Sequence, residues 1–214
     1  MRYVACVVRV VRNEQSTLMN TDPKLIAFAR DSATRNELDP AIVCAVIEQE
    51  SAWNPHALRY ESAFRARYVS PLGLSPTEEI ARSISWGLMQ VMGQVAREYG
   101  FAGKFLSELC DPEVGIEIGC GVLASKFERA RREMAAGSHS TNATASRCIS
   151  ACKTASLGCV SLHTTCASQS AFLQATTATD AVLQEMYRRG LLLWNGGADS
   201  TYAEQVLRRV ANYR

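Results

Sequence analysis

The chain has 214 residues and a mass of 23.4 kDa, which corresponds to one domain with or without an appendage. Hydrophobic residues make up 47% and charged residues 21% of the sequence, and this composition excludes a fully disordered, collagenous or coiled-coil chain. The 23 basic and 21 acidic residues leave a net charge of +2, which is too small for the phosphate binding of a nucleic-acid-binding protein.

Residues 1–21 predict an N-terminal tail outside the folded domain. The segment MRYVACVVRVVR is apolar, but Arg9 interrupts it and no small-residue cleavage site follows. We therefore interpret it as an edge strand or a frayed end and not as a signal peptide. No run approaches the roughly 18 apolar residues of a membrane span, so we expect no stable membrane insertion.

From residue 22 onward the sequence predicts helices separated by capped breaks. Asp39–Pro40 and Asp111–Pro112 each combine an N-cap residue with a proline at the first helical position. Ser75–Glu78, with the sequence SPTE, resembles a capping box. GLMQVMGQVAREY predicts a helix that stops at Gly100. No segment shows sustained alternation of apolar and polar residues, so we expect a mainly α fold.

Residues 137–179 have a different composition, rich in Ser, Thr, Ala and Cys, with Arg147 and Lys153 as the only charged residues. The stretch lacks helical periodicity and cannot bury enough apolar area to offset the entropy of ordering it. It therefore predicts a loop insertion or disordered segment that interrupts a single domain of residues 22–214.

The same stretch contains a cluster of potential zinc ligands with the spacing C-x3-C-x6-C-x3-H-x2-C, formed by Cys148, Cys152, Cys159, His163 and Cys166. It lacks the paired C-x2-C knuckles that are typical of zinc sites. We therefore interpret these residues as scattered reduced thiols and expect neither a metal nor a cofactor.

A carboxylate stands near the end of the helix that follows Asp39. At about 100° per residue, Glu50 projects between the apolar residues Val46 and Ile47, whereas Glu48 points to the opposite side. Partial burial disfavours the charged form of a carboxyl group and raises its pKa, and a general acid near neutral pH needs such a shift. The alternative is a glutamate that extends from the helix end into solvent.

Glu50 lies in the first of four motifs that follow one another along the chain: EQESAWNPHA, SWGLMQVM, LLLWNGG, and Tyr202 within STYAEQVL. In this order they resemble the motifs of the soluble-lytic-transglycosylase and goose-type-lysozyme-like family. The resemblance covers roughly residues 22–132 and 180–214 and leaves the insertion outside. It implies a lysozyme-like fold and an enzyme that acts on the glycan strands of peptidoglycan.

The resemblance also implies roles for individual residues. Glu50 matches the catalytic acid/base, and Ser51 matches a residue that helps to orient the substrate. Tyr202 matches a late tyrosine whose hydroxyl lies near the catalytic acid. The motif that lines the sugar groove in the family corresponds here to Gly87, Leu88, Met89 and Gln90.

Two positions depart from the family pattern. Asn195 matches the asparagine of a motif that usually has tyrosine before it, but Trp194 stands in the tyrosine position. The tyrosine hydroxyl is therefore lost there, and we expect Trp194 to be able to stack on a sugar ring. Ser85–Trp86 replaces a pair of small residues, so the wall of the groove is expected to differ.

The number of carboxylates in the motifs bears on the reaction. Ordinary glycosidases need two, whereas only Glu50 lies in a motif here. One acid/base suffices if the substrate supplies the nucleophile, and in the family the C6 hydroxyl of N-acetylmuramic acid attacks its own anomeric carbon and leaves a 1,6-anhydro end. Glu61 is the candidate second carboxylate for a hydrolytic enzyme, with a surface salt bridge to Arg59 or Arg65 as the alternative.

The favoured hypothesis is a lytic transglycosylase that cleaves the β-1,4 bond between N-acetylmuramic acid and N-acetylglucosamine. A hydrolytic muramidase is the second hypothesis, and a cell-wall-binding or phage structural module without turnover is the third. All three act at the bacterial cell wall. The sequence leaves open the route to the wall and a phage origin.

Overall fold

The computed structural model describes the backbone of residues 21–149, 167–197 and 199–214 and the side chains of residues 21–136, 180–197 and 199–214. Within those residues helices dominate, which confirms the predicted mainly α fold. The predicted N-terminal tail lies outside the described residues except for Thr21. None of the described helices is both long and apolar enough to cross a membrane.

The first two helices begin as the sequence predicts. Helix α1 spans Pro23–Arg35 and helix α2 spans Pro40–Ser51, and each has a proline in its first turn. The side chain of Asp39 accepts a hydrogen bond from the amide of Ala41 at 2.9 Å. A proline cannot supply an amide hydrogen, so this cap satisfies the next free donor of the helix.

Helix α2 is the centre of the molecule. Every residue from 41 to 48 is buried, including Glu48. The sequence analysis placed Glu48 on the side of the helix opposite Val46 and Ile47, but that side is buried as well, because neighbouring elements enclose α2. A helix that is apolar around most of its circumference belongs in a protein interior.

A small antiparallel sheet follows α2, with the strand order β1-β2-β3. Its strands are Leu58–Tyr60 (β1), Ile84–Trp86 (β2) and Val91–Met92 (β3). The sequence analysis missed this sheet, because strands of two or three residues are too short to show alternation. The predicted helix over GLMQVMGQVAREY is consequently wrong in its first part, since GLMQ forms the turn between β2 and β3.

Short helical segments connect β1 to β2: α3 (Ser62–Phe64), a π-helical turn (Arg65–Val69), a 3-10 turn (Ser70–Leu72) and α4 (Pro76–Arg82). Ser75 occupies the N-cap position of α4, but its side chain makes no capping hydrogen bond. The predicted capping box is therefore wrong. The carboxylate of Glu78 instead pairs with Arg82 at 2.7 Å.

Beyond β3 lie α5 (Gly93–Glu98), a 3-10 turn (Leu106–Cys110) and the long helix α6 (Pro112–Ile149). As predicted, Asp111 caps α6, accepting hydrogen bonds from the amides of Glu113 at 3.1 Å and Val114 at 3.2 Å. Helix α7 (Ala167–Trp194) follows. The last elements are α8 (Tyr202–Arg209) and a 3-10 turn (Val210–Tyr213).

Helices α6 and α7 extend into the predicted insertion. Residues 137–149 and 167–179 are helical, so the expectation of a loop or disordered segment is wrong for both parts. Extending an existing helix costs less than nucleating a new one, which allows a weakly periodic sequence to continue α6. The candidate zinc ligands lie outside the residues whose side chains are described, and the boundaries of the insertion stay a prediction.

The core joins α2 to α6, α7 and α8. The rings of Phe127 on α6 and Tyr187 on α7 have centroids 5.5 Å apart. Helix α8 is tied to α2 by a hydrogen bond of 2.9 Å from Gln49 to Gln205. The fully buried side chains of the core include Ile42, Ile47, Leu88, Met89, Ile116, Leu123, Leu191 and Val206.

Two glycines in α6 give a matched test of this packing. A methyl group at Gly119 would lie 2.9 Å from Cβ of the buried Met89, whereas one at Gly121 would meet nothing closer than Asn36 Oδ1 at 3.9 Å. We expect Gly119→Ala to lower the free energy of unfolding by about 1 to 3 kcal/mol through overpacking. Gly121→Ala should raise it by up to about 1 kcal/mol through helix propensity. Urea denaturation measures both, and equal effects would contradict the described contact of α6 with Met89.

Candidate active site

The carboxyl group of Glu50 lies in the last turn of α2 and receives two hydrogen bonds on one oxygen. Trp194 donates from Nε1 to Glu50 Oε1 at 2.8 Å, and Tyr202 donates from its hydroxyl to the same oxygen at 2.6 Å. Trp194 is the last residue of α7 and Tyr202 is the first of α8. Three helix ends therefore meet at a single carboxyl group.

The surroundings of Glu50 raise its pKa. Burial is the largest cause, because it disfavours the charged carboxylate, and it outweighs the opposing effects of Tyr202, Trp194 and the positive charge of Arg59. Tyr202 is itself only 5% exposed, and burial together with the neighbouring Glu50 raises the pKa of its hydroxyl as well. The tyrosine therefore keeps its proton and remains a donor to Glu50.

The backbone that follows Glu50 turns sharply. Ala52 and Trp53 both adopt positive φ angles, of 50° and 64°, a conformation that costs non-glycine residues free energy and persists only where the surroundings impose it. The Trp53 side chain is buried, and its Nε1 donates to the Tyr213 hydroxyl at 2.8 Å. The hydroxyl of Ser51 bonds back to the Ile47 carbonyl at 3.1 Å, and its contact with substrate stays a prediction.

Glu48 is an enclosed carboxylate two residues before Glu50, and its structural role was missed by the sequence analysis. It accepts a hydrogen bond from the Tyr213 hydroxyl at 2.7 Å and lies 3.6 Å from Nε of Arg209. These contacts tie α2 to α8 and the turn that follows it. A carboxylate within a continuously apolar helix needs such partners. The position of Glu48 within the apolar run AIVCAVIEQES was therefore a sequence signal for a buried, paired carboxylate.

The GLMQ turn braces the loop after Glu50. Gly87 has a φ of 68°, and its amide donates to the Ala57 carbonyl at 2.9 Å. Gln90 donates from Nε2 to the carbonyls of Ala57 and Gly87, both at 2.9 Å, and accepts from the Ser85 hydroxyl at 3.1 Å. Both donor hydrogens of Gln90 are thus engaged within the protein.

Two residues of this turn do not line a groove as predicted. Leu88 is 1% exposed and Met89 is fully buried, because both side chains turn into the core beneath the sheet. The close backbone approach allowed by Gly87 is to the carbonyl of Leu109, which leaves no space for a Cβ atom. In this structure the GLMQ turn therefore packs into the core and holds the loop after Glu50 through hydrogen bonds to Ala57.

Asn195 shapes the loop between α7 and α8. Its Nδ2 donates to the Asp199 carbonyl at 3.1 Å, and Gly196 and Gly197 within the loop both have positive φ. The side chain of Asp199 in turn accepts from the amide of Thr201 at 2.8 Å, one residue before α8. This loop places Trp194 and Tyr202 on the same carboxyl oxygen, while a contact of Asn195 with substrate stays a prediction.

Glu61 lies just beyond β1 and forms a salt bridge with Arg59 at 2.5 Å, as the alternative interpretation of this residue expected. Arg65 pairs instead with Glu79, at 2.8 Å. Among the described residues, no group of three or more His, Cys, Asp or Glu side chains forms a potential metal site. The described part of the site therefore consists of one partly exposed glutamate, two neutral donors and the Arg59–Glu61 pair nearby.

The contacts of Glu48 predict a destabilising effect of Tyr213→Phe. The substitution removes the donor to Glu48 and the acceptor of Trp53, so we expect the free energy of unfolding to fall by about 1 to 3 kcal/mol. Tyr99→Phe is the control, because the Tyr99 side chain is exposed and its hydroxyl contacts only Ser125 in the described part of the chain. That change should stay within about 0.5 kcal/mol. Equal losses in chemical denaturation would contradict a structural role for the Glu48 contacts.

The raised pKa of Glu50 predicts a pH-dependent stability difference. The folded protein holds this proton more tightly than the unfolded chain, so the stabilising contribution is complete below the unfolded pKa and is lost as pH rises through the folded pKa. Glu50→Gln is neutral throughout, so its melting temperature relative to wild type should increase with pH. Glu113→Gln, at an exposed position, is the control for removal of one carboxylate. A difference for Glu50→Gln that does not vary with pH would contradict the burial argument.

Comparison with known proteins identifies the family. The model of the family described as "Transglycosylase SLT domain" matches residues 28–153, more than half of the chain. The match contains Glu50 and the GLMQ turn and ends before α7, whose last residue, Trp194, contacts Glu50. No curated protein and no solved structure shows significant similarity to the chain.

This match confirms the predicted resemblance for the first part of the chain, and the hydrogen bonds to Glu50 connect the last part to the same site. The family's members are lytic transglycosylases that act on peptidoglycan. The chain therefore belongs to the transglycosylase SLT domain family and is a lytic transglycosylase of peptidoglycan.

Proposed function

We propose that Glu50 is the single general acid and base of this enzyme, which cleaves the β-1,4 bond between N-acetylmuramic acid and N-acetylglucosamine and leaves a 1,6-anhydro end. The observation that carries the proposal is the partly exposed Glu50 carboxyl with two neutral donors on Oε1. Burial raises the pKa of Glu50, so a larger fraction of this side chain is protonated near neutral pH than of an ordinary glutamate.

The proton of Glu50 passes first to the glycosidic oxygen, and the bond between that oxygen and the anomeric carbon of N-acetylmuramic acid breaks. The resulting carboxylate then takes the proton of the C6 hydroxyl of the same sugar. The freed C6 oxygen bonds to the anomeric carbon and closes the anhydro ring. Glu50 ends in its starting protonation state, so no water is consumed and no second carboxylate is needed.

The neighbouring carboxylates support a one-carboxylate reaction. Glu61 is paired with Arg59, and Glu48 is enclosed by Tyr213 and Arg209. Hydrolysis by a muramidase mechanism would need a second group to activate water or act as nucleophile. Glu61, whose side chain is 34% exposed, is the described candidate for that second reaction.

The third hypothesis, a binding module without turnover, is less well supported. The acid, its tyrosine donor and a second donor from Trp194 are all in contact, although the predicted insertion of residues 137–179 lies between Glu50 and both donors in the sequence. We further propose that the enzyme works at the bacterial cell wall, because its substrate is found there.

Digestion of purified peptidoglycan followed by mass spectrometry tests the proposal. We expect muropeptides that are lighter by one water than hydrolytic products. Glu50→Gln should lower the rate by at least about 100-fold through loss of the proton donor. Glu61→Gln is the comparison variant, and it should stay active and still give the anhydro product, because the proposed reaction does not use the Glu61 carboxylate.

Other outcomes would favour the alternatives. Reducing ends, together with loss of activity in Glu61→Gln, would indicate a muramidase. Wild-type protein that remains bound to undigested sacculi would indicate a binding module. Full activity of Glu50→Gln would show that another residue is the acid.

A further inference from the structure

We infer that Trp194 is a positioning residue that fixes the transferable proton of Glu50 on Oε2. This inference rests on the proposed role of Glu50 as the general acid. It gives Trp194 a function different from the sugar stacking that the sequence suggests. It concerns the position at which this chain has tryptophan where the family motif usually has tyrosine.

The first step of the argument is the distribution of donors around the carboxyl group. Trp194 and Tyr202 both donate to Oε1, and no hydrogen bond from the described part of the chain reaches Oε2. In a protonated carboxyl the carbonyl oxygen accepts hydrogen bonds, whereas the hydroxyl oxygen carries the donor. Two donors on Oε1 therefore favour the form in which Oε2 holds the proton.

The second step is the difference between an indole and a hydroxyl group. The indole Nε1 of Trp194 is a donor only, whereas a tyrosine hydroxyl donates or accepts. If Tyr202 were the sole partner, its hydroxyl could rotate and accept a proton held on Oε1. Trp194 cannot reverse in this way, so it occupies a lone pair of Oε1 both before and after the proton leaves Glu50.

The third step is the rigidity of the donor. Trp194 is half-buried and packs against the hydrophobic core at the end of α7. The amide of Asn195 donates to the Leu191 carbonyl at 3.1 Å, and that of Gly197 donates to the Leu192 carbonyl at 2.9 Å. These bonds close the helix end beside the indole. The edge of the ring is thus held toward Glu50, 144 residues away in sequence.

The pH dependence of kcat/KM provides the first test. Trp194→Phe removes a hydrogen bond that favours the Glu50 carboxylate. The alkaline limb of the profile, where activity is lost as Glu50 deprotonates, should therefore shift to higher pH by about one unit. The value of kcat at neutral pH should fall about tenfold, because the acid is less well oriented. Trp194→Tyr restores a donor that can also accept, so both the alkaline pKa of the profile and kcat should lie between those of the wild type and those of Trp194→Phe.

The same measurements separate the possible failures. Activity retained in Glu50→Gln would overturn the proposed function itself. If Glu50→Gln is inactive but Trp194→Phe only raises KM, with the alkaline limb in place, Trp194 contacts sugar and the present inference fails while the proposed function stands. An unchanged kcat, KM and limb in Trp194→Phe would overturn the inference in the same way.

A second measurement, by NMR, uses the wild type and Glu50→Gln and therefore does not depend on whether a Trp194 variant folds. The chain contains three tryptophans, so its indole N–H signals are readily resolved in a proton–nitrogen NMR spectrum. The Trp194 signal should shift as Glu50 titrates in the wild type and should lose that shift in Glu50→Gln. The Trp86 indole donates to the backbone carbonyl of Ala81 at 3.0 Å and is the internal control. A Trp194 signal that does not follow Glu50 would overturn the inference.

Discussion

A buried carboxyl group needs hydrogen-bond partners, and this requirement organises the site. Glu50 lies at the end of α2, and the two donors to its Oε1 come from the facing ends of α7 and α8. An unsatisfied carboxyl in this position would cost several kcal/mol. The hydrogen bonds to Glu50 consequently also stabilise the packing of the last two helices on the central one.

The short sheet and its turn hold the loop that follows Glu50. The Ala57 carbonyl, seven residues after Glu50, accepts hydrogen bonds from the Gly87 amide and the Gln90 side chain. The left-handed turn at Ala52 and Trp53 is thereby held between α2 and the sheet. Strain in that turn is sustained by contacts on both sides, as is common next to reactive groups.

Local signals in the sequence predicted the elements that depend on local chemistry. The caps at Asp39 and Asp111 and the central helix follow from proline and aspartate at helix starts. Local signals did not predict the hairpin of β2 and β3, because its apolar residues also fit a helix and its turn depends on positive φ angles at Gly87 and Gln90. Burial of Leu88 and Met89 depends on their tertiary packing, which periodicity cannot reveal.

The family motifs indicated Glu50 and Tyr202 at the site, and the structure places these two in contact. The donor role of Trp194 was missed, because the substitution of tyrosine was interpreted as loss of a hydroxyl. The indole nitrogen nevertheless supplies a hydrogen-bond donor to Glu50 at that position. The contact of Glu48 with Tyr213 was missed for a different reason, since 165 residues separate the partners and no motif joins them.

Two carboxylates two residues apart on α2 therefore have different partners, and the difference matches the structural contacts of Glu48 and the acid role proposed for Glu50. Glu48 is enclosed and lies near the cation Arg209, a combination that suits a carboxylate with a structural function. The direct hydrogen bonds to Glu50 come from neutral groups, which orient the carboxyl and oppose its protonation less than a contacting cation would. The positive charge of Arg59 acts on Glu50 at a distance and lowers its pKa. The salt bridge between Arg59 and Glu61 partly offsets that positive charge. Replacement of either neutral donor by a cation would strengthen the hydrogen bond and stabilise the carboxylate, and it would thereby disfavour the protonated form that the proposed acid role of Glu50 requires.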